Sequence, residues 1–126
     1  MKTLSIVESA YRATLEEQDD TVVWITRAMK GAGADVHMLL RGNAVNYAVK
    51  AQDAGGLVYG EWRQTQPPRL ADDLSGAVAK GIAVFAVSED IAERGLKQSD
   101  LITGIEPVSR DGLARLFGRY DQVWYW

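Results

Sequence analysis

The sequence predicts an α/β fold: a mainly parallel sheet of about five strands with helices on both faces. Three observations carry this. Short apolar runs at residues 4–7, 36–40 and 82–87 have the nearly continuous hydrophobicity of strands buried on both sides. The segments between them repeat apolar residues at helical spacing. Strand and helix alternate along the chain, which is the pattern of a parallel sheet joined by crossover helices.

Leu4, Ile6 and Val7 make the first strand, with Glu8 and Ser9 at its carboxyl end. A polar connection follows, containing Tyr11, Arg12 and the acids Glu16, Glu17, Asp19 and Asp20. Acids belong electrostatically at a helix start, so this group reads as a solvated entry to a helix rather than a cation site. Val22, Ile25 and Met29 form the apolar stripe of that helix, and Gly31 and Gly33 stop it. Lys30-Gly31-Ala32-Gly33 is not a dinucleotide fingerprint, because these glycines follow a helix and precede a strand.

The second strand, 36–40, contains His37, the chain's only histidine. A lone histidine in mid-strand reads as packed and hydrogen-bonded, since a general base needs a partner within reach. Asn43 is placed to cap a short helix after Arg41-Gly42. Residues 52–68, with Gly55-Gly56, Trp62 and Pro67-Pro68, are the least regular stretch and read as an extended excursion or lid. A third helix covers about 69–79, with Leu70, Leu74, Ala77 and Val78 on one face. Residues 82–87 form the strongest strand. Ser88 is placed to cap the next helix, with Glu89 and Asp90 in its first turn, and Gly95 ends it. Residues 101–108, with Gly104 and Pro107, read as a connector. Ser109 caps a last helix bearing Leu113, Leu116 and Phe117. Val123 to Trp126 close the chain as a strand whose aromatics fill either the core or an interface.

With 126 residues, a single domain spanning 1–126 is expected. A net charge of −3 disfavours nucleic-acid binding, which needs a basic surface to neutralise phosphates. No run approaches the length of a membrane span, so a soluble, cytoplasmic protein is expected. The absence of cysteine excludes disulfides, thiolate metal sites and thiol nucleophiles. One histidine and scattered carboxylates have no metal-ligand spacing, and no motif calls for a cofactor.

The carboxyl ends of strands in an open α/β sheet converge on one crevice. That places Glu8, Tyr11, Arg12, Asn43, Val87, Ser88 and Glu89 together as candidate ligand-binding residues, with an anion or nucleotide-like molecule as the ligand class. Each also has a structural role available in a cap or turn. A serine enzyme built on Ser88 is disfavoured, since no histidine–acid pair is evident to activate it.

Three stretches carry a family resemblance. They are Leu39-Leu40-Arg41-Gly42-Asn43-Ala44-Val45, residues 81–96 with their Glu93-Arg94-Gly95 ending, and Gly104-Ile105-Glu106-Pro107-Val108-Ser109-Arg110-Asp111-Gly112-Leu113. In these, and in the order of elements over nearly the whole chain, the protein resembles the DsrE/DsrF-like family, which includes the TusBCD sulfur-relay proteins. The resemblance implies a Rossmann-like or flavodoxin-like domain and assembly into dimers, trimers or hexamers of itself, with other DsrE-like or sulfur-relay proteins as further partners. It also implies that sulfur carriers place a cysteine eight residues before the glycine of the Arg-Gly pair. Counting back from Gly95, that position is Val87. The resemblance therefore points to a non-catalytic, oligomeric accessory protein rather than a sulfurtransferase, with small-ligand binding as the competing reading.

Overall fold

The apolar run at the start of the chain becomes β1 (Lys2–Val7), and each later strand of the main sheet is added parallel to a neighbour. The computed structural model describes residues 1–11, 20–53 and 55–126. After β1 come α1 (Thr21–Gly31), β2 (Asp35–Leu40) and a 3-10 helix, Gly42–Ala48. A hairpin of β3 (Val58–Tyr59) and β4 (Trp62–Arg63) precedes α2 (Leu70–Ala79). The chain finishes with β5 (Val84–Val87), α3 (Ser88–Glu93), β6 (Ile105–Val108), α4 (Leu113–Phe117) and β7 (Gln122–Tyr125).

The five-stranded sheet has the order β6-β5-β2-β1-β7. Every pairing within it is parallel, with Leu4 beside His37 and Met38 beside Val84. The chain steps from β1 out to the β6 edge, then crosses back to lay β7 on the far side of β1. This is the predicted single α/β domain of flavodoxin-like type.

The two faces are covered unequally. On one, Val7, Met38, Leu40, Val84 and Ala86 pack under α1, the 3-10 helix, α2 and α3. On the other, Leu4, Ile6, Leu39, Phe85 and Val87 pack under the short helix α4 through Leu113 and Leu116. Alternation along each strand divides the apolar side chains between these two cores.

Local differences from the sequence reading have physical causes. Residues 101–108 are not merely a connector, because Ile105–Val108 is the edge strand β6. Pro107 is tolerated there because an edge strand needs ladder hydrogen bonds on one side only. The irregular stretch holds the β3–β4 hairpin. The buried face of α1 is Val22, Val23 and Thr26, with Ile25 and Met29 half-buried. The short helix after β2 is 3-10 rather than α. Arg41 takes its N-cap, so Asn43 lies inside the element. Val87, not Ser88, occupies the N-cap position of α3, and Ser88 is its first helical residue. Ser109 caps not α4 itself but the 3-10 turn Arg110–Gly112 that leads into it, accepting from the Gly112 amide at 3.1 Å, and Gly112 takes the N-cap of α4.

Asp20 is the clearest case of one residue positioning several elements. Its carboxylate accepts the Val22 amide at 2.7 Å, capping α1. The same group accepts the Tyr47 hydroxyl at 2.7 Å, tying α1 to the 3-10 helix, and it is fully buried. Of the acidic group 16–20, Glu16, Glu17 and Asp19 lie outside the described residues. Asp20 is a buried cap rather than part of a solvated face. Asp20→Ala is expected to lower stability in urea unfolding by about 2 kcal/mol through loss of the cap and of a charged hydrogen-bond acceptor. Tyr47→Phe, which keeps the cap, is expected to cost less.

Candidate functional site

The carboxyl ends of β1, β2, β5 and β6 meet on one side of the sheet, and a carboxylate stands where they converge. Asp90 lies in the first turn of α3, carried there directly by the end of β5. One of its oxygens accepts the Gly42 amide at 2.8 Å, at the end of β2. The other is 2.7 Å from Nη2 of Arg110, which follows β6. Three strand ends are joined through one side chain.

Neighbouring groups complete the network. Arg110 Nη2 also reaches Glu93 at 3.2 Å. The Arg110 amide donates to both oxygens of Glu89 at 2.9 Å. Arg94 donates to the Asn43 side-chain oxygen at 2.8 Å and to the Asp90 carbonyl at 3.0 Å. Gly42 is held close to β1: its φ of +55° suits glycine, and a Cβ there would stand 3.2 Å from Glu8 Cγ. The Ala44 amide donates to the Glu8 carbonyl at 3.2 Å.

Burial by itself would raise the Asp90 carboxyl pKa. The Gly42 amide, the Arg110 hydrogen bond and the positive charges of Arg110 and Arg94 outweigh it and hold the group below its usual value. Asp90 and Glu93 in turn push the Arg110 guanidinium up.

The structure distributes the predicted ligand-binding residues unevenly. Glu8, Asn43, Ser88 and Glu89 do collect at this end of the sheet. Asn43 and Glu89 are engaged by Arg94 and Arg110, so their polar atoms serve the protein itself. Val87 is 1% exposed, and its side chain belongs to the apolar cluster under α4. It is withdrawn from the crevice. Arg12 lies outside the described residues. Tyr11 is exposed and drawn to one side, with its ring 5.2 Å from that of Tyr47 and its hydroxyl 3.4 Å from Gln52 Oε1. There it borders a cleft of about 550 Å³ that is also lined by Asp53, Pro67, Pro68 and Arg69.

Asp90 and Arg110, which hold the site together, were not among the predicted site residues. The available signal was position: each is a charged residue two or three places beyond the end of a strand.

His37 sits toward the opposite end of the sheet, where Nδ1 is 2.7 Å from the Tyr120 hydroxyl. Burial and, after it, the charge of Lys2 hold its pKa below 6.5 against the pull of Asp35. The register puts His37 level with Ala83, so it stands about 16 Å along the strands from Ser88 at ~3.3 Å per residue. His37 is packed and hydrogen-bonded, and it cannot activate Ser88.

Comparison with known proteins fits this architecture. The structure superposes on the YchN protein from E. coli with a TM-score of 0.76 and 18% sequence identity, covering 99% of this chain and 98% of that one. It superposes on a protein of unknown function from Methanobacterium thermoautotrophicum with a TM-score of 0.61 and 16% identity, covering 95% and 94%. No protein-family model matches the sequence, and no curated protein matches it significantly. The chain thus has a DsrE/YchN-like fold and carries no cysteine.

The network has a pH signature. A carboxyl whose pKa is depressed on folding stabilises the protein above its unfolded value, 3.8, and that contribution is lost as pH falls towards the folded value. Asp90→Asn is expected to cost about 2 kcal/mol at neutral pH, from the lost charge-assisted hydrogen bonds. The gap between variant and wild type should close as urea unfolding is repeated below pH 3.8. A pH-independent gap would show that the carboxylate charge does not matter.

Proposed function

We propose that the protein is a non-catalytic DsrE-like protein, an oligomeric accessory or partner-binding protein linked to sulfur metabolism and working in the cytoplasm. The carrying observation is Val87. The family's sulfur carriers place their cysteine there, and this chain has a valine that is 1% exposed under α4. A side chain without a thiol cannot hold a persulfide, and a buried one cannot meet a donor. Ser88 next to it is no substitute, because a hydroxyl lacks thiolate chemistry at neutral pH. In this reading the protein associates with itself as a dimer, trimer or hexamer, and with other DsrE-like or sulfur-relay proteins.

Incubation with a persulfidated donor protein is expected to leave the intact mass unchanged. A stable sulfur adduct would overturn the proposal. Val87→Cys supplies the missing thiol, and it is expected to react with a thiol reagent far more slowly in the folded protein than in urea. Equal rates would mean that the strand end is open.

One observation favours a second reading, a small-ligand domain for an anion or nucleotide-like molecule. The cleft beside Tyr11 is lined by that exposed aromatic residue and by the cationic residue Arg69. This reading expects nucleotides to raise the melting temperature of the wild type and not of Tyr11→Ala or Arg69→Ala. Unchanged melting of the wild type across a nucleotide and oxyanion panel would remove it.

A further inference from the structure

The two edges of the main sheet are built differently. At one, β6 reads Ile-Glu-Pro-Val, with a charge and a proline that discourage further pairing. At the other, β7 reads Gln-Val-Trp-Tyr, with no charge, no proline and no glycine. Edge strands of this second kind are templates for another strand.

Side chains on both faces of β7 add to this. Val123 and Tyr125 lie beside Leu4 and Ile6 in the register, on the face carrying α4, and are 39% and 59% exposed. Trp124 lies beside Ser5 and is half-buried, and Trp126 is 44% exposed. The polar atoms of these indoles are used internally. Trp124 Nε1 donates to the Gln122 side chain at 3.2 Å, and Trp126 Nε1 donates to Ser5 Oγ at 2.9 Å. What remains for a partner is apolar ring surface on either side of a row of backbone donors and acceptors.

We propose that β7 is a self-association edge, where a second copy of this chain pairs antiparallel to the first and continues the sheet across a two-fold axis. The proposal rests on the self-association reading above and assigns it a surface. Three features select a second copy as the occupant. Although the chain is net acidic, Gln122–Tyr125 is uncharged, so like strands meet without like-charge repulsion. Aromatic and β-branched residues facing their own kind across a strand pair are favourable partners. The hydrogen-bond phase also permits it. The Trp126 amide donates to the Ile6 carbonyl at 3.3 Å and Ile6 lies beside Tyr125 in the register, so alternate residues back from Trp126, namely Trp124 and Gln122, turn their backbone groups to β1. Those of Val123 and Tyr125 then face outward. Antiparallel pairing requires outward groups to meet, so the two-fold axis passes beside Val123 or beside Trp124. The contact is small by the standard of stable dimers, so association is expected to depend on concentration.

The lack of native cysteine makes a direct test available. At the axis a residue faces its own copy with a Cα separation of about 4.5 or 5.5 Å, within disulfide range. Val123→Cys and Trp124→Cys are made separately and mildly oxidised, with Glu106→Cys on the β6 edge as control. The mass of each is read without reductant, and the wild type is followed by light scattering over a concentration series. The expected result is a self-associating wild type and a disulfide-linked dimer from one of the β7 variants, with the control uncrosslinked. A self-associating wild type with no β7 crosslink, or with the control crosslinking equally, overturns the β7 surface and leaves self-association standing elsewhere. A wild type that stays monomeric throughout overturns both.

Discussion

The arrangement at the carboxyl end of the sheet depends on one carboxylate. Asp90 accepts a backbone amide from the end of β2 and a guanidinium from beyond β6, while its own helix grows directly out of β5. A buried carboxylate is costly unless its oxygens are matched. Here each oxygen has a donor at under 3 Å. The charge and its partners therefore fix one another: Gly42 must come close, Arg110 must lie across α3, and Glu89 then closes on the Arg110 amide. The strand ends that an α/β sheet usually leaves open to a ligand are occupied by the protein's own polar groups.

This changes the significance of the missing cysteine. A valine at position 87 would by itself leave an empty crevice, ready for another chemistry. In this chain Val87 turns into the α4 core and the polar residues around it bind one another. The strand end has become part of the scaffold. Among the described residues, outward surfaces lie elsewhere: the cleft beside Tyr11, and the uncharged β7 edge with its exposed rings. Under the proposed accessory function, both would serve recognition.

Much of the fold was legible because strands buried on both faces leave a strong mark. Residues 36–40 and 82–87 are almost wholly apolar, and the helices α1 and α2 that precede them end at or just before a glycine. β6 was not legible. Gly104 and Pro107 are connector signals locally, and only the position of Ile105–Val108 at a sheet edge makes them compatible with a strand. Asp20 was found as an acid near a helix start, but its burial depends on Tyr47, which is 27 residues away. The candidate site was half legible. The rule that strand ends converge brought Asn43, Ser88 and Glu89 to the right place. It could not say that Asn43 would be held by Arg94, or that Asp90 would find Arg110 20 residues on. Such pairs follow from tertiary geometry and leave no periodic trace in the chain.

The central claim is that the carboxyl end of the sheet is closed by Asp90. The Gly42 amide reports on it directly, since its only way to exchange with water is for that carboxylate to let go. Native-state hydrogen exchange, read residue by residue, is the decisive measurement. The account predicts that the Gly42 amide is protected to nearly the same degree as the central strand amides of β2, and that Asp90→Asn selectively reduces that protection. Exchange of the wild-type Gly42 amide at the rate of an open loop would contradict it.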